Sequence, residues 1–139
     1  MNTTNNQKFY INGQWVNPHS KQLLDVINPA NEEIITQIAI GNEEDLNNAV
    51  EAAKKSFETW SVSGIEERLK LLNKLKEIYQ KRFDEMTVAI TTEMGCPKDF
   101  SSDVQTQSGL DHLNDFIEQL KNFNFENKFN DKSNNYITH

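Results

Sequence analysis

Cysteine is almost missing from this chain, since Cys96 is the one thiol among 139 residues. A single cysteine excludes an intramolecular disulfide and a multi-cysteine zinc site. Long apolar runs are missing as well. None exceeds three residues, as in Ile38-Ala39-Ile40, whereas a membrane helix needs roughly 20. The five glycines, Gly13, Gly41, Gly64, Gly95 and Gly109, are too scattered for a G-x-G-x-x-G turn or a phosphate loop. The three histidines, His19, His112 and His139, show no H-E-x-x-H or other metal spacing. Positive charge is in deficit. The chain has 14 Lys+Arg against 21 Asp+Glu, a net charge of −7 and a pI near 4.9, which argues against nucleic acid and anionic membranes as partners. Met1 to Gln7 has neither a basic region nor an apolar stretch, so it does not read as a secretory signal. These absences predict a soluble, acidic, cytoplasmic chain. Its length suits one domain, which would bury about 70% of its unfolded surface.

What is present falls into two halves and a tail. Lys8 to Ile11 and Gln14 to Val16 flank Asn12-Gly13, and an Asn-Gly pair between such runs is a strong hairpin signal. Asp25-Val26-Ile27 reads as a short extended piece stopped by Asn28-Pro29. From Glu33 to Ile40, Ile34, Thr36, Ile38 and Ile40 share one parity, as in a strand with one better-buried face. Helical spacing follows: Leu46, Val50, Ala53, Phe57 and Trp60 form one stripe, with Asn42 as N-cap. The acidic cluster Glu43-Glu44-Asp45 then sits where the helix dipole favours anions. Ser63-Gly64-Ile65-Glu66 has the S-x-x-E form of a capping box. It opens a stripe from Ile65 to Ile90 with a plausible break at Arg82-Phe83-Asp84. Gly95-Cys96-Pro97 ends that run, and Pro97 starts a further helix carrying Phe100, Val104, Leu113, Ile117 and Leu120. The last segment, Asn122 to Asn135, is polar without a helical period. The fold class expected is α+β, short strands followed by three or four helices.

Few residues suggest chemistry. Cys96 lies three positions after Glu93 and two before Lys98; a nucleophilic thiolate needs a cation or a helix N-terminus, whereas Gly95 and Pro97 make Cys96 a turn residue. Asp111-His112 are adjacent, and neighbours on a helix point apart, so they read as a solvated pair. Trp15 and Trp60 lie on patterned elements and read as packing residues.

The order of short phrases says more. Phe9-Tyr10-Ile11-Asn12-Gly13-Gln14-Trp15-Val16 resembles the opening x-I-N-G-x-W hairpin of the aldehyde dehydrogenase superfamily. Asp25 to Ile35 is similar to its NPATGEVI phrase, Gly41 to Trp60 to its first helix, and Glu67-Arg68 with Leu71-Leu72 to its R-x-x-L-L helix. Thr92 to Pro97 resembles its E-x-G-K-P turn, and Asn135 to His139 the strand leading into EPIG. The resemblance implies that residues 1–121 are the N-terminal part of an α/β Rossmann-type dinucleotide-binding domain. Residues 122–139 would be a polar tail that starts the oligomerisation arm. In complete members, NAD or NADP accepts hydride from a cysteine thiohemiacetal and an aldehyde becomes a carboxylic acid, usually in a homo-oligomer, with no nucleic acid or membrane involved.

The same resemblance implies that this stretch holds no catalytic, cofactor-binding or metal residue. Complete members are several times longer, and His139 falls where their dinucleotide-binding strands begin. Cys96 stands where the family commonly has Lys; Gly13, Asn28, Pro29 and Gly95 match framework turns. The expectation is an N-terminal fragment, inactive alone. The alternative is a non-catalytic assembly module binding a full-length subunit; an accidental resemblance in a small acidic adaptor is the remaining reading. With its sheet missing, the fragment would leave Leu69, Leu72, Leu75 and Phe83 short of partners. It would be marginally stable, self-associating or dye-binding, and its tail 122–139 would be mobile, because its strand pairing belongs to missing chain or to another subunit.

Overall fold

A computed structural model describes residues 5–125, 127–130 and 135–138. The chain is α+β, with short hairpins followed by four long helices. Strands β1 (Phe9–Ile11) and β2 (Gln14–Val16) pair antiparallel. Asn12 and Gly13 both take positive φ, 51° and 76°, as a two-residue hairpin of type I′ requires. Strand β3 (Leu23–Ile27) pairs antiparallel with β4 (Ile34–Ala39), with a register shift at Val26/Ile27. Their connection is closed by side chains: Asn28 Oδ1 accepts the Ala30 N–H at 2.9 Å and Asn31 Oδ1 the Glu33 N–H at 3.1 Å.

Helix α1 (Glu43–Trp60) begins as the spacing predicts. Asn42 accepts the Asp45 N–H, and Asp45 accepts the Asn42 N–H in return, forming a capping box. The expected box at Ser63 does not form. Helix α2 (Ile65–Lys81) is N-capped by Gly64 without a side-chain bond. The Ser63 hydroxyl is engaged elsewhere, donating to Trp60 O at 2.7 Å and accepting Arg68 Nε–H at 2.9 Å. The long stripe breaks at Arg82, and α3 (Phe83–Met94) ends on Gly95 at φ +66°, a left-handed cap. Pro97 precedes the next helical residue rather than opening the helix.

A single turn, α4 (Lys98–Phe100), continues into a π-helical stretch, Ser101–Thr106, and then α5 (Gln107–Lys121). The π stretch overturns part of the expected apolar stripe. Phe100 and Val104 face outward, and Ser101 and Thr106, five residues apart, are fully buried in their place. A π turn spans more residues than an α turn, which brings positions i and i+5 to one side. The stripe resumes in α5, where Ile117 and Leu120 are the buried apolar side chains among the described residues.

After α5, β5 (Asn127–Asn130) and β6 (Asn135–Thr138) pair antiparallel with each other. The two tail strands therefore pair with each other, where pairing with missing chain or another subunit was expected; positions 126, 131–134 and 139 of that tail, and 1–4 of the start, lie outside the described residues. The core is thin and lies where α2 meets α5 and α3 meets the π stretch. The β4 face expected inside is open, with Ile34 60% and Ile38 37% exposed.

Candidate functional site

Cys96 sits in the loop between α3 and α4, half-buried, with its sulfur 3.0 Å from Ser101 Oγ. That contact belongs to a cluster of hydroxyls rather than to a charge pair. Thr106 Oγ1 donates its one proton to Ser101 O at 2.8 Å, so the Thr87 hydroxyl 3.0 Å away must be the donor to Thr106. Thr91 Oγ1 lies 2.8 Å from both Thr87 O and Ser101 Oγ, and Tyr79 OH donates to Thr106 O at 2.9 Å. No side-chain polar atom buried among the described residues lacks a partner. The cluster is a structural seam between α3 and the π stretch.

The other sequence candidates separate. Asp111 accepts Gln107 Nε2–H one turn back, at 2.8 Å, and not from His112. Trp15 packs across the hairpin against Tyr10 with the rings tilted, centroids 5.2 Å apart. Trp60 is drawn into a polar clasp: the Arg68 guanidinium lies 5.5 Å above its ring and 5.4 Å from Phe125, and Arg68 Nη2 donates to Trp60 O. Arg68 was legible only as part of a helix phrase, because Trp60 lies across a helix break and Phe125 is remote in sequence. No group of three His, Cys, Asp or Glu suited to a metal occurs among the described residues.

Two framework turns do meet. Gly95 packs on the Asn28–Ala30 turn so closely that a Cβ there would lie 2.7 Å from Ala30 N and 2.9 Å from Pro29 Cγ. Gly109, which the sequence did not single out, is similarly confined: a Cβ would collide with the Tyr79 hydroxyl. The one hint was a glycine inside a helical pattern, which costs about 1 kcal/mol against Ala and so needs a reason.

A groove of about 810 Å³ lies between α2 and α5, walled by Trp60, Leu71, Leu75, Phe116 and Phe123, with Arg68 at its margin. It is apolar and open. A dinucleotide does not fit the described residues by themselves. Their sheets are two-stranded antiparallel ladders, and none has the parallel strand, glycine turn and helix N-terminus that cradle a pyrophosphate.

The model of the "Aldehyde dehydrogenase family" matches residues 15–139. A "Putative aldehyde dehydrogenase" of Staphylococcus epidermidis is 45% identical over 124 residues, which are 89% of this chain and 26% of that protein. The crystal structure of an aldehyde dehydrogenase from Bartonella henselae superposes with a TM-score of 0.86 at 40% identity, over 92% of this chain and 27% of that one. The C291A mutant of aldehyde dehydrogenase C from Pseudomonas syringae, complexed with NAD+ and octanal, gives 0.87 at 31% identity, over 91% and 26%. The chain thus spans about a quarter of the length of its curated relatives, 26% in the case of the Staphylococcus epidermidis protein.

Proposed function

The chain belongs to the aldehyde dehydrogenase family, and from that premise we propose that it forms the N-terminal part of an enzyme oxidising aldehydes to carboxylic acids with NAD or NADP. Residues 1–121 belong to the dinucleotide-binding domain and 122–139 begin the arm that pairs subunits in a cytoplasmic homo-oligomer. The observation that carries this reading is the agreement in fold, a TM-score of 0.86 over 92% of the chain against a 40% identical aldehyde dehydrogenase.

The chemistry needs a nucleophile, donors for an oxyanion, a base and a placed nicotinamide, each within about 3–3.5 Å of its reacting partner. Cys96 pairs with a serine hydroxyl, and the hydroxyls near it are satisfied within the helices. This supports a framework role for the segment, with the reacting groups carried by the remainder of the enzyme. The framework tasks are concrete. The Asn28–Ala30 turn seats on Gly95, and the Arg68 clasp fixes the end of α1 against α2.

The test compares the 139-residue chain with a hybrid in which it replaces the matching segment of the Staphylococcus epidermidis relative. The chain alone is expected to give no aldehyde-dependent reduction of NAD or NADP above a Cys96→Ser control, and the hybrid to give clear reduction. Activity in the chain alone, abolished by Cys96→Ser, would overturn the framework reading. A folded hybrid without activity would overturn the assignment to aldehyde oxidation.

A further inference from the structure

Asn12-Gly13 is the one Asn-Gly pair in the sequence, and the fold sets it at the exposed tip of the β1–β2 hairpin. Such a pair is chemically labile. The backbone nitrogen that follows an asparagine is placed to attack the side-chain amide carbon, and glycine adds no side chain to obstruct it. Neither the Asn12 amide nor the Gly13 N–H has a hydrogen-bond partner among the described residues. A Cβ built on Gly13 would meet nothing within 4 Å, so both reacting groups stand in open space.

Geometry decides whether the closed hairpin permits the attack. The ring that forms contains Gly13 N together with Asn12 C, Cα, Cβ and Cγ. To lie nearly flat it requires ψ of about −120° at Asn12, the value at the first central residue of a type II′ turn. An ideal type I′ turn has ψ of about +30° there, which holds the attacking nitrogen away. Both turn types share φ of about +60° at that residue, and Asn12 already has 51°. The two turns therefore differ by a flip of one peptide plane, the one between Asn12 and Gly13. The flip reverses the sign of φ at Gly13 from its present +76°, and glycine accepts either sign. Ile11 and Gln14, whose pairing closes the hairpin, do not have to move.

We propose that Asn12 is a self-modification site, cyclising onto Gly13 N from the closed hairpin through this single flip. The bond from Gly13 N to Asn12 Cγ forms and the Cγ–Nδ2 bond breaks. The Gly13 N–H proton passes through solvent to the leaving nitrogen, ammonia departs, and a succinimide remains. Water then opens the ring at either carbonyl, giving aspartate by attack at Cγ and isoaspartate by attack at the main-chain carbon. Aspartate keeps the backbone and adds one negative charge to the net −7. Isoaspartate inserts a methylene into the main chain of a two-residue loop, a length that the Ile11–Gln14 pairing does not accommodate. The effect reaches α1. Phe9 of β1 lies against Gly41, where a Cβ would come within 3.3 Å of its ring, and Gly41 adjoins the Asn42 cap.

The experiment clamps the hairpin shut. Tyr10 and Trp15 stand opposite each other, one pair in from the loop, and a cross-strand disulfide spans such a pair. The full chain carrying Tyr10→Cys, Trp15→Cys and Cys96→Ser is incubated at neutral pH with the disulfide formed and, in parallel, reduced. Peptide mapping by mass spectrometry follows loss of the Asn12 amide and separates the aspartyl from the isoaspartyl product. The clamped form is expected to react at a rate within about tenfold of the reduced form, with both products at position 12. A clamped form slower by more than about tenfold would show that the ladder must open first, and would overturn the proposal.

The unsubstituted chain supplies a second measure, independent of the clamp. Its rate in buffer is expected to lie within about tenfold of its rate when unfolded in urea. An Asn12 inert in the folded chain but reactive in urea would overturn reaction from the closed hairpin. Asn12→Gly keeps a Gly-Gly pair that the turn tolerates and is expected to remove the product. Amide loss in the peptide containing position 12 that this variant leaves unchanged would overturn the assignment to Asn12.

Discussion

Asp45 joins two stretches of chain, the His19 loop and the start of α1, through one carboxylate. Its Oδ1 accepts the His19 N–H and its Oδ2 the Asn42 N–H, both at 3.0 Å. Burial works to raise its pKa. Hydrogen bonds from the backbone of Asn42, His19 and Ser20, together with the His19 charge, outweigh burial and hold the carboxyl below its ordinary value. A depressed folded pKa means that the stabilisation is complete above the unfolded value of about 3.9 and is lost as pH falls through the folded value. Asp45→Asn is therefore expected to lower the urea midpoint at pH 7, and the gap to wild type should close as the pH drops below 4; a gap independent of pH would contradict this account. Asp45 was legible only as a helix-start anion, because the donor at His19 comes from a loop 26 residues upstream. The same limit applies to glycine. Gly95 reads as a helix stop, yet its contact with Ala30 depends on a turn that the local pattern cannot place.

At the scale of elements, the legible parts were those governed by neighbours in sequence. The Asn12-Gly13 hairpin, the Asn42 cap and the break at Arg82 all follow from residues within a turn or two. Ser63 shows how that reasoning fails: its hydroxyl had a better offer from Trp60 O and Arg68 than from the helix it precedes. The π stretch was illegible for a different reason. Its stabilising hydroxyls, Ser101 and Thr106, meet Thr91 and Thr87 on another helix, so no helical period announces them. Because Thr106 is fully buried and receives the Thr87 proton, Thr106→Val should cost about 1–3 kcal/mol, the penalty for a buried polar group left unpaired. Chemical denaturation would measure it, and a loss below about 0.5 kcal/mol, the usual size of surface changes, would mean that the seam does not depend on its hydroxyls.

At the scale of the whole molecule, the apolar stripes on α1, α2 and α5 were readable in the sequence, but a stripe declares only that a face wants cover. It does not name the cover. Ile117 and Leu120 are the apolar residues that achieve burial among those described, while fully burying one such side chain is worth roughly 1.5–3 kcal/mol and a domain's net stability is about 5–15. So thin a core predicts strong enhancement of an apolar dye's fluorescence by the chain alone, and weaker enhancement per chain in the hybrid. Equal low fluorescence in both would show that the exposed faces do not attract apolar ligands.

Strand β4 gives this openness a temporal side. Ile34–Ala39 reads IITQIA, six residues with no charge and no proline, the composition that favours stacking into fibrillar cross-β assemblies. In a two-stranded ribbon its outer edge offers unpaired N–H and C=O groups to any similar strand. Folding of this chain is thus a race between withdrawal of that edge into the chain's own packing and an association that quickens with concentration, so slow production favours the former.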